Sequence, residues 1–196
     1  MVAVSSPAAT AGRILDIAER LVQTRGYNGF SYADISAELR IRNASVHYHF
    51  PSKTDLGRRL VARHREKFMA ALESLQLETK DARQLLRRYV ALWTGVLRDR
   101  DRMCLCGMMA ADIATLPKAI RVEIKRFFDE NEQWLVRVIE DGRRARTLRP
   151  QAAPKIEARL LTMGLEGAML VARSYGEVRR FEEIANRLLE GLGINS

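Results

Sequence analysis

Two helix-capping signatures stand close together in the stretch SYADISAELRIRNASVHYHFPSKTDL, residues Ser31 to Leu56. Ser31 is followed three residues on by Asp34, and Ser52 by Asp55, the pattern in which a hydroxyl and a carboxylate satisfy the free amides of a helix start. Phe30 and Ile35 bracket the first signature as a hydrophobic staple. The spacing predicts a helix from Ser31 to about Leu39, a turn at RIRN, and a third helix from about Ala44 to Phe50 that Pro51 ends. Val46 and Phe50 lie four apart and must face the first two helices. Upstream, Ile14, Ile17, Ala18, Leu21 and Val22 fall at helical spacing and Gly26 supplies a stop. Downstream, Leu56, Leu60 and Val61 begin a fourth, longer helix.

The helical pattern continues to the end. It runs through DARQLLRRYVALWTGVLRD, MCLCGMMAADIA, a long segment from Pro117 to about Thr147, PKIEARLLTMGLEGAMLVARSY and FEEIANRLLEGLG. The breaks are short and carry Pro, Gly or charge clusters, and no alternation of strand type, internal repeat or low-complexity run interrupts them. The expected fold is therefore all-α with about nine helices. Its expected parts are a flexible arm at residues 1–9, a helical module at 10–67 and a larger helical domain at 68–196.

Composition bounds what such a chain does. Hydrophobic residues make up 47% and charged residues 29% of the 196, which is globular. Residues 1–67 hold 11 basic and 6 acidic side chains, so the excess of positive charge is densest at the N-terminal end and suits a polyanion. The start MVAVSSPAAT has neither a basic leader nor a long apolar run, and Asp112 interrupts the most apolar later stretch, so a cytoplasmic protein without membrane association is expected. Cys104 and Cys106 point to opposite helix faces and do not suit a mutual disulfide; no metal site or cofactor is expected. The chain has no dinucleotide fingerprint, phosphate loop, nucleophile elbow or zinc-protease pattern, and an all-helical enzyme would leave the third helix without a purpose.

That purpose follows from the helical wheel. With Val46 and Phe50 inward, Ala44 and Tyr48 lie nearly opposite and Ser45 and His47 flank them, so a small residue, a hydroxyl, an imidazole and a phenol face outward. Such groups bond phosphate oxygens and base edges, and a helix presented this way fits the DNA major groove. From Arg13 to Phe68 the chain resembles the DNA-binding domain of the tetracycline-repressor-like (TetR) family, on ILDIAERLVQTRGY, DISAEL and above all ASVHYHFPSKTDL. Arg40 stands where that family usually has a turn glycine, Arg42 where it often has a capping serine, and His47 where it usually has tyrosine. The resemblance implies DNA contacts from Asn43, Ala44, Ser45, His47, Tyr48 and His49, with Lys53 gripping a phosphate. His49 suits a packing role equally well, and Arg40 and Arg42 are either phosphate contacts or solvated arginines.

A recognition helix this short calls for a second copy on a symmetric dimer. Leu160, Gly164, Gly167, Ala168 and Val171, with Ile184, Leu188 and Leu192, form apolar stripes that suit a homodimer seam or the intramolecular core. The resemblance also implies a small-molecule cavity in the larger domain, drawn from Trp93, Cys104, Met108, Asp112, Phe127, Trp134, Met163 and Glu166, although Met and aromatic residues at helical spacing ordinarily pack. If Asp101 caps a helix beginning near Arg102, Cys104 falls in its first turn beside Arg100 and Arg102, where a thiolate is favoured; two small buried hydrophobes are the alternative. The expected function is a ligand-responsive transcriptional regulator, a dimeric repressor released from a palindromic operator by a small molecule or an electrophile. A constitutive DNA-binding protein is the alternative.

Overall fold

The computed structural model describes residues 6–99 and 102–195, and among them every regular element is helical. They form nine α-helices and one turn of 3-10 helix, grouped into two compact units. The first unit takes the chain as far as Arg65 together with Leu105–Lys125; the second takes Glu66–Cys104 and everything from Arg126.

In the first unit, α1 (Pro7–Arg25) begins inside the stretch expected to be a flexible arm. The local reason is a cap: the Ser6 hydroxyl accepts from the Ala9 amide at 3.3 Å, and Pro7 sits where a helix needs no amide hydrogen. Ile14, Leu15, Ile17, Ala18, Leu21 and Val22 form its buried stripe. Gly26, at φ 80°, turns the chain into the 3-10 turn Tyr27–Gly29. The capping box at α2 (Tyr32–Leu39) is present as expected, with the Ser31 amide donating to Asp34 Oδ2 at 2.7 Å. These bonds from Ser31 hold the Asp34 carboxyl below the usual range. At the end of α2, Arg40 takes φ 54° and ψ 43°, the left-handed conformation, while the Ile41 amide reaches back to the Ser36 carbonyl at 3.0 Å.

Helix α3 (Asn43–His49) follows, with Arg42 at its N-cap making no side-chain cap bond. Then α4 (Lys53–Glu78) opens on the second expected box, the Ser52 hydroxyl accepting from the Asp55 amide at 3.1 Å. Helix α4 passes from the first unit to the second between Arg65 and Glu66. The surprise is that α6 (Leu105–Ala111) and the start of α7 (Lys118–Arg144) belong with the first unit. There α6 lies against α1, and Ile120 packs so tightly over Gly57 that an added Cβ would sit 2.6 Å from Ile120 Cδ1.

The second unit holds α5 (Ala82–Arg98), most of α7, α8 (Pro154–Tyr175) and α9 (Val178–Gly191). Helices α8 and α9 meet where Leu188 covers Gly164, so closely that a Cβ there would lie 2.7 Å from Leu188 Cδ1. The loop before α8 is tied by Glu157, whose carboxylate accepts from the Gln151 and Ala152 amides at 2.8 and 2.7 Å. The core is aromatic: Phe68, Tyr89, Trp93 and Phe127 meet edge-on or tilted, and Tyr89 stacks on Trp134 at 5.7 Å.

The turn between α2 and α3 generates the first prediction. A left-handed arginine costs about 1 kcal/mol more than glycine in the same place. Arg40→Gly should therefore raise the melting temperature by about 2 to 4 °C in a chain of this size, measured by thermal denaturation. A lower melting temperature would mean that Arg40 makes a stabilising contact outweighing its backbone strain.

Candidate functional site

In the first unit, Val46 and Phe50 are completely buried, and the rest of α3 is turned outward as the wheel predicts. Tyr48 is 78% exposed; Asn43, Ala44 and His47 are exposed, and Ser45 and His49 half-exposed. The outward set is held in place from behind. The His47 ring meets the Tyr32 ring at 4.7 Å, and the Tyr48 ring meets His49 at 5.1 Å. The Tyr32 hydroxyl donates to the Phe50 carbonyl at 2.9 Å, and the Tyr27 hydroxyl to the Lys53 carbonyl at 2.7 Å, so both sides of Pro51 are fixed. Burial raises the pKa of both tyrosines to about 12, which keeps these donors protonated at neutral pH.

Lys53 departs from expectation. Its ammonium donates to the Phe30 carbonyl and lies over the rings of Tyr27 and Phe30, 4.9 and 4.4 Å from their centroids. Burial lowers its pKa. A charge held this way braces α4 against the turn before α2 and is not extended towards a phosphate. Arg59 is exposed, and its guanidinium lies 4.8 Å over the Phe50 ring at the end of α3. Arg58 beside it and Arg40 and Arg42 in the turn are exposed as well. No local pattern marks Arg59, because its position depends on how α4 crosses the end of α3.

In the second unit, three helix faces converge on Tyr89. Helix α5 brings Tyr89 and Trp93, α7 brings Phe127, Asn131 and Trp134, and α8 brings Thr162, Glu166 and Met169; each set repeats at three- or four-residue spacing. Asn131 Nδ2 donates to the Tyr89 hydroxyl at 3.0 Å, and burial pushes the Tyr89 pKa up. Trp93 Nε1 and Thr162 Oγ1 lie beside Tyr89 and influence it without reaching hydrogen-bond geometry. Trp134 Nε1, Asn131 Oδ1 and Glu166 Oε1 are also buried and unpaired. The stem of Glu166 keeps some exposure while Oε1 is shut off from solvent, and this burial, only partly offset by a hydrogen bond from the Cys104 thiol, raises its pKa to about 7.

Comparison with known proteins places these two units. Residues 14–60 match the model of the bacterial regulatory proteins of the tetR family, and residues 82–188 match the tetracyclin repressor-like C-terminal domain. The chain belongs to the TetR family. A TetR-family transcriptional regulator from Agrobacterium tumefaciens is 36% identical, with 95% of this chain and 99% of that one covered and a TM-score of 0.92. A TetR regulator from Legionella pneumophila is 32% identical over 97% of this chain and 100% of that one, with a TM-score of 0.86. The transcriptional repressor DhaR of Mycobacterium sp. strain GP1 is 25% identical over 149 residues, 74% of this chain and 73% of that protein. The protein is thus a helix-turn-helix, DNA-binding transcription regulator rather than an enzyme. Among the described residues no helix is long and apolar enough to cross a membrane, and no three His, Cys, Asp or Glu side chains are grouped to hold a metal ion.

Within this TetR frame the expected site residues fall in different places. Trp93, Phe127, Trp134 and Glu166 share the core of the second unit, whereas Met108 and Asp112, although inside the stretch that matches the C-terminal domain, pack in the first, beside Gly26 at the end of α1. Met163 is 68% exposed on the outside of α8; its neighbour on the inner face, Met169, is the one buried. Cys104 precedes α6 rather than entering its first turn, and the proposed cap Asp101 and neighbour Arg100 lie outside the described residues. Arg102 pairs with Asp99 at 2.8 Å. The Cys104 amide donates to Met169 Sδ at 3.2 Å, and both Cys104 and Cys106 are buried, so neither thiol is the accessible one. In the expected seam, Leu160, Val171 and Ile184 are exposed, with Gly167 beside them and Ala168 half-exposed. Leu192 is only 2% exposed, folded into its own unit where its carbonyl accepts from the Arg149 amide, and Leu188 and Gly164 face each other within the chain.

The buried Glu166 carboxyl has a consequence for stability. Its folded pKa lies above its unfolded one, so the native state holds the extra proton, and stability falls as pH rises from about 4.5 to about 7. Glu166→Gln should remove that fall: chemical denaturation should find the variant stabilised relative to wild type at pH 8 and little changed at pH 5. Equal effects at both pH values would show that Glu166 does not carry its proton into the neutral range.

Proposed function

We propose that the protein is an effector-gated repressor that binds a twofold-symmetric operator as a homodimer. The observation that supports it most directly is α3 itself, two buried anchors with Asn43, Ala44, Ser45, His47 and Tyr48 turned outward. In this reading Ser45 and His47 reach base edges, Tyr48 and Arg59 hold phosphates on either side, His49 and Asn43 assist, and Arg40 and Arg42 contact the backbone from the turn. Repression is favoured by the relatives named as repressors or negative regulators, DhaR among them. A dimer is favoured by Ile156, Leu160, Met163, Leu170 and Val171, an exposed apolar stripe along α8 continued by Ile184 on α9, the kind of contiguous patch that monomers rarely leave uncovered. A small-molecule effector is favoured over a constitutive binder by the unpaired polar atoms around Tyr89, and over an electrophile by the burial of both thiols.

Footprinting should show protection of an inverted repeat with half-sites centred about 34 to 36 Å apart on one face of the duplex. A single asymmetric site would remove the symmetric dimer. Changing Ser45 or His47 to alanine should shift preference among operator variants by about 1 to 3 kcal/mol. Arg59→Ala should instead weaken binding to all sequences alike and reduce the salt slope by about one, a change Lys53→Ala should not reproduce. Leu160→Glu with Val171→Glu should give a monomer by sedimentation with helicity intact, and operator affinity should drop at least tenfold (about 1.4 kcal/mol) as the second half-site contact is lost. A double variant that stays dimeric would place the seam elsewhere.

A further inference from the structure

The cluster around Tyr89 also indicates what kind of molecule it takes; this rests on the reading of the second unit as the effector-binding unit. We propose that Glu166, with the ring faces of Tyr89 and Trp93, forms a subsite for a small organic cation, a protonated or quaternary amine. Glu166 presents a carboxyl oxygen, Oε1, that is closed off from solvent and without a hydrogen-bond partner; the Cys104 thiol bonds the carboxyl, and among the described residues no cationic side chain is paired to it. A buried carboxyl without a countercharge is costly to the empty protein, and a cation delivered by a ligand removes that cost. The surroundings suit such a guest. The Cys104 thiol that bonds Glu166 lies near enough to Tyr89 to influence it; the Tyr89 ring, stacked on Trp134, is 6.0 Å from that of Trp93, and indole and phenol faces attract cations. The other unpaired groups, Trp93 Nε1, Thr162 Oγ1 and Asn131 Oδ1, are each more than nine-tenths buried and offer hydrogen bonds to an oxygen or hydroxyl on the same molecule. An anion is excluded by Glu166, and a purely apolar ligand would leave every one of these atoms unsatisfied.

The chain has two tryptophans, Trp93 and Trp134, and both belong to this cluster, so intrinsic fluorescence reads it directly. The intact protein, without DNA, is titrated at constant ionic strength with tetramethylammonium, choline and the neutral isostere of choline, 3,3-dimethylbutan-1-ol. A saturable fluorescence change is expected for at least one of the two cations, with choline binding about tenfold or more tightly than the alcohol. The ionisable groups facing Glu166 are the Cys104 thiol and, beyond it, the Tyr89 hydroxyl. Cation affinity should therefore rise between pH 6 and pH 8 as Glu166 ionises, while the alcohol's should not change. Glu166→Gln should bring the ratio between choline and the alcohol close to one. If that variant folds poorly, the comparison of charged and neutral isosteres in the wild-type protein across pH decides alone. No saturable change with either cation, an alcohol that binds as well as choline, or an unaltered preference in folded Glu166→Gln would each overturn the proposal. Because binding is read without DNA, a protein that takes the amine and ignores it at the operator keeps this inference and loses the gating; one that is released from its operator by other molecules and takes no amine does the reverse.

Discussion

The burial of Val46 and Phe50 is the interaction on which the DNA-binding unit depends. Seven residues make too few helical hydrogen bonds to hold α3 together by themselves. Burying a valine and a phenylalanine side chain contributes about 1.5 to 3 kcal/mol each, and the tyrosine bonds to the Phe50 and Lys53 carbonyls add about 1 kcal/mol apiece. Because two side chains and the turn after them do most of the anchoring, no other position of α3 has to be apolar, and His47 packs only the edge of its ring on Tyr32. The other positions are free to be polar, which is what a surface that meets nucleic acid requires.

Features decided within a few residues were legible in the sequence. The boxes at Ser31 and Ser52, the stop at Gly26, the inward Val46 and Phe50 and the outward Tyr48 all follow from local chemistry and helical period, and the structure has each of them. The direction of Lys53 is not legible, because its partner, the Phe30 carbonyl, lies 23 positions earlier and a flexible four-carbon stem gives no sign of which way it turns. The place of Arg59 is equally hidden, since a guanidinium over Phe50 is set by the crossing of two helices.

The second unit was harder to read because α8 is apolar on two faces. Met163 and Met169 sit six residues apart in the same apolar run, yet one is exposed and the other wholly buried, and periodicity finds both faces without saying which is inner. Leu192 continues the stripe of α9 on a wheel, but the helix ends at Gly191 and the chain folds it under. Met108 and Asp112 were assigned by their place in an apolar segment, whereas α6 starts three residues later than its charge pattern suggests and joins α1.

A sensor core whose polar groups are all satisfied when empty has little to gain from a ligand, and a ligand shifts an equilibrium only by its differential affinity for the two states. The core around Tyr89 is not satisfied. Trp134, Asn131 and Glu166 each bury a polar atom that no neighbouring protein group satisfies, and a ligand that supplies a partner gains what such an atom otherwise forgoes. Cys104 is tied to α8 twice, through its amide to Met169 and through its thiol to Glu166, and the next residue begins α6. In the proposed repressor, a guest that takes over the Glu166 carboxyl competes with one of those ties, so its binding is felt at Cys104 as well as at Glu166.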